Sequence, residues 1–202
     1  MVRVTLVDSG TGNLFSLREA FSRAGAVVDV ANDPAEVRTA ECLVLPGVAS
    51  FTSMVRGIRE VRRAVLDRVD AGVPLLGICA GMQVLFESSQ EGPGDGLGLL
   101  RGNIARLRAE IVPHMGWTPL ELRPGAWFPR SSEGPMVYFA HSFAASPDAE
   151  GVVATADHGG PFAAAVRKDR LFGVQFHPEK SGQAGGAILR GFLTEAGVTS
   201  WA

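Results

Sequence analysis

Through its first half the chain alternates between two hydrophobic rhythms. Strand-like, apolar-rich segments at residues 2–8, 26–30, 43–46 and 73–78 have the length of buried strands. Between them, apolar positions recur three or four apart. Residues 14–24 put Leu14, Leu17 and Phe21 on one helical face, and residues 51–69 predict one longer helix whose outer face carries Arg56, Arg59, Glu60, Arg62, Arg63 and Asp67. Strands apolar on both faces, separated by helices, predict an α/β fold with a mostly parallel, doubly wound central sheet and helices on both faces. After Glu87 the rhythm changes. A turn-rich stretch at 92–96 precedes short runs at 102–107, 136–143, 152–156, 162–166 and 171–176, which predict antiparallel strands in the C-terminal half. Residues 184–196 predict a closing helix with Ile188, Leu189 and Phe192 inward.

Composition narrows this only slightly. At 202 residues, 46% hydrophobic and 20% charged, the chain is expected to form one domain over residues 1–202. A net charge of −2 gives no reason to expect nucleic acid or an anionic membrane as partner. The opening reaches charge and turn residues too early for a signal peptide, and no apolar run approaches a membrane span, so a cytoplasmic protein is expected. Gly10-Thr11-Gly12 lacks the third glycine of a dinucleotide fingerprint, no phosphate-binding G-x-x-x-x-G-K-[ST] occurs, and two distant cysteines make no zinc site; neither cofactor nor metal is expected.

In a doubly wound sheet ligands bind beyond the carboxyl ends of the strands, and one of the two cysteines stands there. Cys79, in Gly77-Ile78-Cys79-Ala80-Gly81, has the G-x-C-x-G spacing of a nucleophile elbow, in which a sharp strand-to-helix turn lifts the side chain above the sheet. A helix N-terminus there would favour thiolate. Cys42, inside an apolar run, reads as core filler. A cysteine nucleophile needs a base and a group to orient it. His177 follows the apolar strand ending at Phe176, and Glu179, two residues on along an extended segment, would project to the same side and fix the ring. An isolated histidine after a strand is more often structural; it is the pairing with Cys79 that favours chemistry. His114, His141 and His158 lack such a carboxylate and read as structural or substrate-proximal, with His158 at the surface. Oxyanion donors are expected from the backbone N–H groups of Ala80, just after the nucleophile, and of Val48, aimed by Gly47 at the end of its strand.

The two segments Gly77-Ile78-Cys79-Ala80-Gly81-Met82-Gln83 and Phe176-His177-Pro178-Glu179 resemble the class I, triad-type glutamine amidotransferases, and the match spans nearly the whole chain. Within that family Pro46-Gly47-Val48, Val112-Pro113-His114-Met115-Gly116-Trp117, Tyr138-Phe139-Ala140-His141-Ser142 and His177-Pro178-Glu179-Lys180-Ser181 are similar to the branch that supplies ammonia for imidazole glycerol phosphate in histidine biosynthesis. The resemblance implies hydrolysis of L-glutamine by Cys79, His177 and Glu179 through a thioester, and delivery of ammonia to a (β/α)8-barrel cyclase subunit in a heterodimer. It implies glutamine-binding positions at Gly47, Gln83, His141, Ser142 and Phe143, and a partner face at Asn13, Met115, Trp117, Tyr138 and Lys180, with Trp201 beside them. Trp127 reads as core.

Ala49, Ala80 and Thr118 depart from the family's usual glycine, leucine and asparagine; the first bears on the backbone that completes the oxyanion site, the others on partner contacts. Three other readings stay open on sequence alone: a glutaminase serving a different synthase, of pyridoxal phosphate or aromatic amine type, a non-catalytic module on the same scaffold, and a cysteine peptidase of similar fold. One oxyanion donor is worth about 10² to 10³ in rate, more than a modest gain in thiolate fraction, so regulation is expected at the Gly47-Val48 peptide.

Overall fold

The computed structural model describes residues 2–10, 12–128 and 134–197; Trp201 lies outside them. β1 (Val2–Val7) and β2 (Ala26–Ala31) pair in parallel around α1 (Leu14–Arg23). Asn13 caps α1, its side-chain oxygen accepting the Ser16 N–H at 3.3 Å, and the helix buries Leu17, Ala20 and Phe21. A short helix, α2 (Pro34–Arg38), starts on an Asp33 cap with Pro34 at its first position; it is too brief to show a period in the sequence. β3 (Leu43–Gly47) follows on the other side of β1, buried along its whole length as a continuous apolar run requires of a central strand.

The single helix expected over residues 51–69 is two helices, α3 (Phe51–Gly57) and α4 (Arg62–Asp70). Gly57 packs against the Ser9 carbonyl so closely that a Cβ would collide with it, which pins the end of α3 to the loop after β1. Ile58 and Val61 both turn into the core across the break, so the apolar period runs through it unchanged. β4 (Leu75–Cys79) then enters the sheet beside β3, and a single turn, α5 (Ala80–Gln83), follows directly. The helical run expected after Cys79 goes no further; Val84, Leu85 and Phe86 continue as buried turns.

The second half builds two small sheets and completes the large one. β5 (Ser88–Ser89) and β6 (Asn103–Arg106) are followed by β7 (His114–Pro119) and β8 (Glu121–Leu122), two strands whose mixed composition gave no signal. β9 (Met136–His141) pairs antiparallel with β7, and β10 (Phe143–Ala144) with β6. β11 (Val152–Asp157), β12 (Pro161–Lys168) and β13 (Leu171–Val174) extend the large sheet, whose order is β2-β1-β3-β4-β13-β12-β11-β8. β13 is not wholly antiparallel as expected: it runs antiparallel to β12 but parallel to β4, and so joins the two halves. A 3₁₀ turn at Pro178–Lys180 leads into α6 (Gly182–Glu195).

Helices cover both faces of the sheet. On one, α1 and α6 pack Phe21, Ile188, Leu189 and Phe192 with Trp127, Phe172 and Phe176; on the other, α3 and α4 pack Phe51, Met54 and Val65 with Leu45 and Phe86. Trp127 lies in that core as expected. No described helix is long and apolar enough to cross a membrane.

Candidate active site

The three strands β3, β4 and β13 lie side by side and parallel, so their carboxyl ends share one rim. Gly47 and Cys79 are register partners at the ends of β3 and β4, and Val174 is opposite Ile78. That register brings a residue near position 79 together with residues near 177. Cys79 has φ 54° and ψ −114°, a conformation costly for a side-chain-bearing residue, of order 1–3 kcal/mol. The strain is held by packing. A Cβ on Gly81 would collide with the Leu45 carbonyl, and one on Gly77 with the backbone of Gly81 and Met82, so both glycines of the elbow are required by the close approach of α5 to β3 and β4. Cys79 is 6% exposed and opens into a cleft of about 420 Å³, the size range of small-molecule sites.

His177 lines the same cleft. Its Nδ1 donates to Glu179 Oε1 at 2.9 Å, which leaves Nε2 for the sulfur. The carboxylate does not reach the ring along an extended segment as expected. His177 is extended, with φ −100° and ψ 98°, but the chain then turns through the 3₁₀ residues, and this turn folds Glu179 back beneath the imidazole. Burial disfavours charge on the ring; hydrogen bonding to Cys79 and Glu179, with Coulomb attraction to both, outweighs it and raises His177 from 6.5 to about 10. The site therefore favours the protonated imidazolium form of His177. The backbone is held as firmly. The His177 N–H donates to Tyr138 O at 2.9 Å, and the Ser181 hydroxyl donates to His177 O at 2.6 Å while accepting the Tyr138 N–H at 3.0 Å.

Of the other expected site residues, Val48, Ala80, Gln83, His141, Ser142 and Phe143 line the cleft, whereas Gly47 packs against Ala80, Gly81 and Met54 at the end of β3. Gln83 and His141 face inward chemically. The Gln83 amide nitrogen donates to Phe143 O at 2.8 Å and to Gln175 Oε1 at 3.1 Å, leaving only its oxygen for a ligand. His141 Nδ1 donates to Phe143 O at 3.0 Å, so its Nε2 accepts from His114 Nδ1 at 3.0 Å, and His114 Nε2 accepts from the Thr118 hydroxyl at 2.8 Å. Burial, with no carboxylate to offset it, lowers His114 to about 4 and His141 to about 3. His158 is not plain surface: its ring stacks on His114 at 4.2 Å and Nε2 donates to Ile111 O at 2.7 Å.

Beside the cleft mouth lies an apolar patch. β7 alternates, burying His114 while Met115 and Trp117 stand 64% and 53% exposed. Trp117 pairs across to Tyr138, and the Lys180 ammonium sits 5.6 Å from the Tyr138 ring centre. Met136 and Val48, both exposed, extend the patch. Asn13 is exposed but spends its side chain on the α1 cap and on Ser16.

Three contributors escaped sequence reasoning. Glu91 lines the cleft and accepts the Phe51 N–H at 2.6 Å; it lies in a turn-rich loop with no pattern to mark it. Ser181 and Gln175 adjoin the His177 segment, and an amide and a hydroxyl in an otherwise apolar strand end were the only hint available. Cys42, by contrast, is fully buried and pushed up to about 12 by burial, opposed by Arg170.

Residues 5–196 match the family model described as glutamine amidotransferase class-I. The chain is 41% identical over 192 residues to the imidazole glycerol phosphate synthase subunit HisH of Methanothermobacter thermautotrophicus, covering 94% of this chain and 97% of the relative. It is 43% identical over 195 residues to the protein of the same name from Moorella thermoacetica, covering 94% and 93%. The fold is similar to the crystal structure of a glutamine amidotransferase, with a TM-score of 0.76 at 24% identity over 96% of this chain and 98% of the other.

Proposed function

This chain belongs to the class I glutamine amidotransferase family, and from that premise we propose that it is the glutamine-hydrolysing subunit of an imidazole glycerol phosphate synthase, as its relatives are named. The observation that carries the reading is the strained Cys79 facing an imidazole held by Glu179 in a cleft sized for an amino acid.

Cys79 thiolate attacks the side-chain carboxamide carbon of L-glutamine. The tetrahedral oxyanion is received by the backbone N–H groups of Ala80 and Val48. His177 protonates the departing nitrogen, releasing ammonia and leaving a thioester, then takes a proton from water as that water attacks the thioester to give glutamate. Glu179 keeps the ring in the productive tautomer. Gly47, Gln83, His141, Ser142 and Phe143 shape the substrate side, with the Gln83 oxygen suited to an N–H of the substrate and Glu91 to its ammonium.

Ammonia released into bulk water would be protonated and lost as a nucleophile, which favours a sealed path into a partner. The Met115, Trp117, Tyr138 and Lys180 patch, with Asn13 at the end of α1, is suited to a (β/α)8-barrel cyclase in a cytoplasmic heterodimer. Val48 is 54% exposed beside that patch, so docking can reach the Gly47-Val48 peptide and gate its N–H. The test is glutamine-dependent against ammonia-dependent formation of the imidazole ring by this chain with its cyclase. Glutamine is expected to support synthesis only when both chains are present. Failure with glutamine while ammonia succeeds would overturn the reading.

A further inference from the structure

A buried hydrogen-bond chain behind the cleft ends on the nucleophile. Gln175 is fully buried, and an amide taken from water into an apolar strand end is costly unless both its ends are used. They are. Its backbone N–H is tied to Ala164 O at 2.9 Å, its Oε1 accepts from Gln83 Nε2 at 3.1 Å, and its Nε2 stands 3.7 Å from Cys79 Sγ. The register explains the last contact. Val174 is opposite Ile78 on neighbouring parallel strands, so the next step places Gln175 alongside Cys79.

The direction of the amide is decided at the far end. The Phe143 carbonyl can only accept, so the group that Gln83 presents to it at 2.8 Å is the amide nitrogen. The same nitrogen then donates its second hydrogen to Gln175, which fixes Gln175 with oxygen toward Gln83 and N–H toward sulfur. Turning Gln83 would set its oxygen against the Phe143 and Gln175 oxygens, and turning Gln175 would set two donor nitrogens against each other. We propose that Gln175 is a further catalytic residue, a dedicated N–H donor to the Cys79 thiolate, oriented through Gln83 by the Phe143 carbonyl.

A donor to sulfur favours the charged form and is lost when the proton returns. Gln175 does not line the cleft, so it assists the nucleophile without touching glutamine. This inference rests on Cys79 being the nucleophile of the proposed reaction. The ionisable groups around Cys79 are His177, with Glu179 behind it, on the segment after β13, and His141, Glu91 and Lys180 around the cleft; Gln175→Met replaces none of them, whereas Gln175→Glu adds a carboxyl group beside the sulfur.

The experiment is the pH dependence of Cys79 alkylation by iodoacetamide in the whole chain, for the wild type, Gln175→Met and Gln175→Glu, with Cys79→Ser as background. Cys42, buried and raised to about 12, contributes no thiolate near neutrality. Alkylation at pH 7 is expected to fall about ten-fold in Gln175→Met and further in Gln175→Glu, the scale of one hydrogen bond to a charged group. In glutamine hydrolysis kcat should fall similarly while KM stays within about two-fold. A folded Gln175→Met protein with an unchanged alkylation profile would overturn the proposal. If neither variant folds, nitrogen NMR of the wild type decides: the Gln175 side-chain amide must titrate with Cys79 and cease to do so in Cys79→Ser, and an amide that ignores the thiol sinks the idea. A wild type that fails to hydrolyse glutamine even with the cyclase present, yet shows the alkylation shift, would refute the proposed function and leave this donor standing.

Discussion

His177 and the His114–His141 pair are buried to nearly the same extent, at 3%, 4% and 6% exposure, on the same rim of the molecule, yet the first is raised to about 10 and the others are lowered to about 4 and 3. Desolvation acts on all three in the same direction. What differs is the company: His177 has a carboxylate on one nitrogen and sulfur on the other side, whereas the pair has a carbonyl, a hydroxyl and each other. Burial makes a histidine neutral and structural by default, and only anions reverse the default into a proton-carrying group.

The largest way to break the contrast is to remove the anion. Glu179→Gln should drive His177 down from about 10 toward or below 6.5, seen by carbon NMR of the imidazole, and lower kcat for glutamine hydrolysis by about 10³-fold or more. Next comes the backbone that aims the ring. Ser181→Ala leaves the Tyr138 N–H and the His177 carbonyl without their bridging hydroxyl, and should cost about 1–3 kcal/mol in urea unfolding.

The contrast also sets the pH dependence of stability. His141 and His114 have folded values below the ordinary 6.5, so the unfolded chain binds more protons and stability is lost as pH falls from 6.5 toward 4. The slope from one such histidine is at most about 1.4 kcal/mol per pH unit. His177 has a folded value above 6.5, so its contribution is complete below 6.5 and is lost as pH rises through about 10. Urea midpoints measured between pH 4.5 and 9.5 should therefore peak near 6.5, and Glu179→Gln should flatten the alkaline side alone. The smallest effect is at the outer end of the histidine chain. Thr118→Val removes the donor to His114 Nε2 and should cost about 1 kcal/mol in the same assay, with glutamine turnover unchanged.

The same contrast explains what could be read from the sequence. The elbow was legible because its signal is contiguous: apolar strand, Gly77, Cys79, Gly81 and a turn onward all lie within one short segment. The parallel half of the sheet was legible for the same reason, since β3 and β4 are unbroken runs and β1 and β2 are short apolar-rich segments with single polar interruptions. The histidine chain was not. It joins His114, Thr118, His141 and the Phe143 carbonyl across β7 and β9, and β7 carries no run at all because its two faces serve different purposes, one exposed and one polar and buried. Gln175 was missed because its value lies in register: β13 had to be known to run parallel to β4, where the pattern alone suggested an antiparallel strand; Ser181 was missed because its hydroxyl ties His177 to Tyr138 on β9, far away in sequence. The break between α3 and α4 was hidden because Ile58 and Val61 preserve the apolar period across it.

The central claim is that Cys79, activated by a His177 that Glu179 holds, is the group that takes glutamine. Treating the whole chain, together with the proposed cyclase partner, with a glutamine-analogue electrophile such as diazo-oxo-norleucine, and mapping the adduct by mass spectrometry, tests it most directly. The expected result is one adduct, on Cys79, formed more slowly in Glu179→Gln and blocked by excess glutamine. An adduct on Cys42, or labelling of Cys79 that glutamine does not slow, would contradict it.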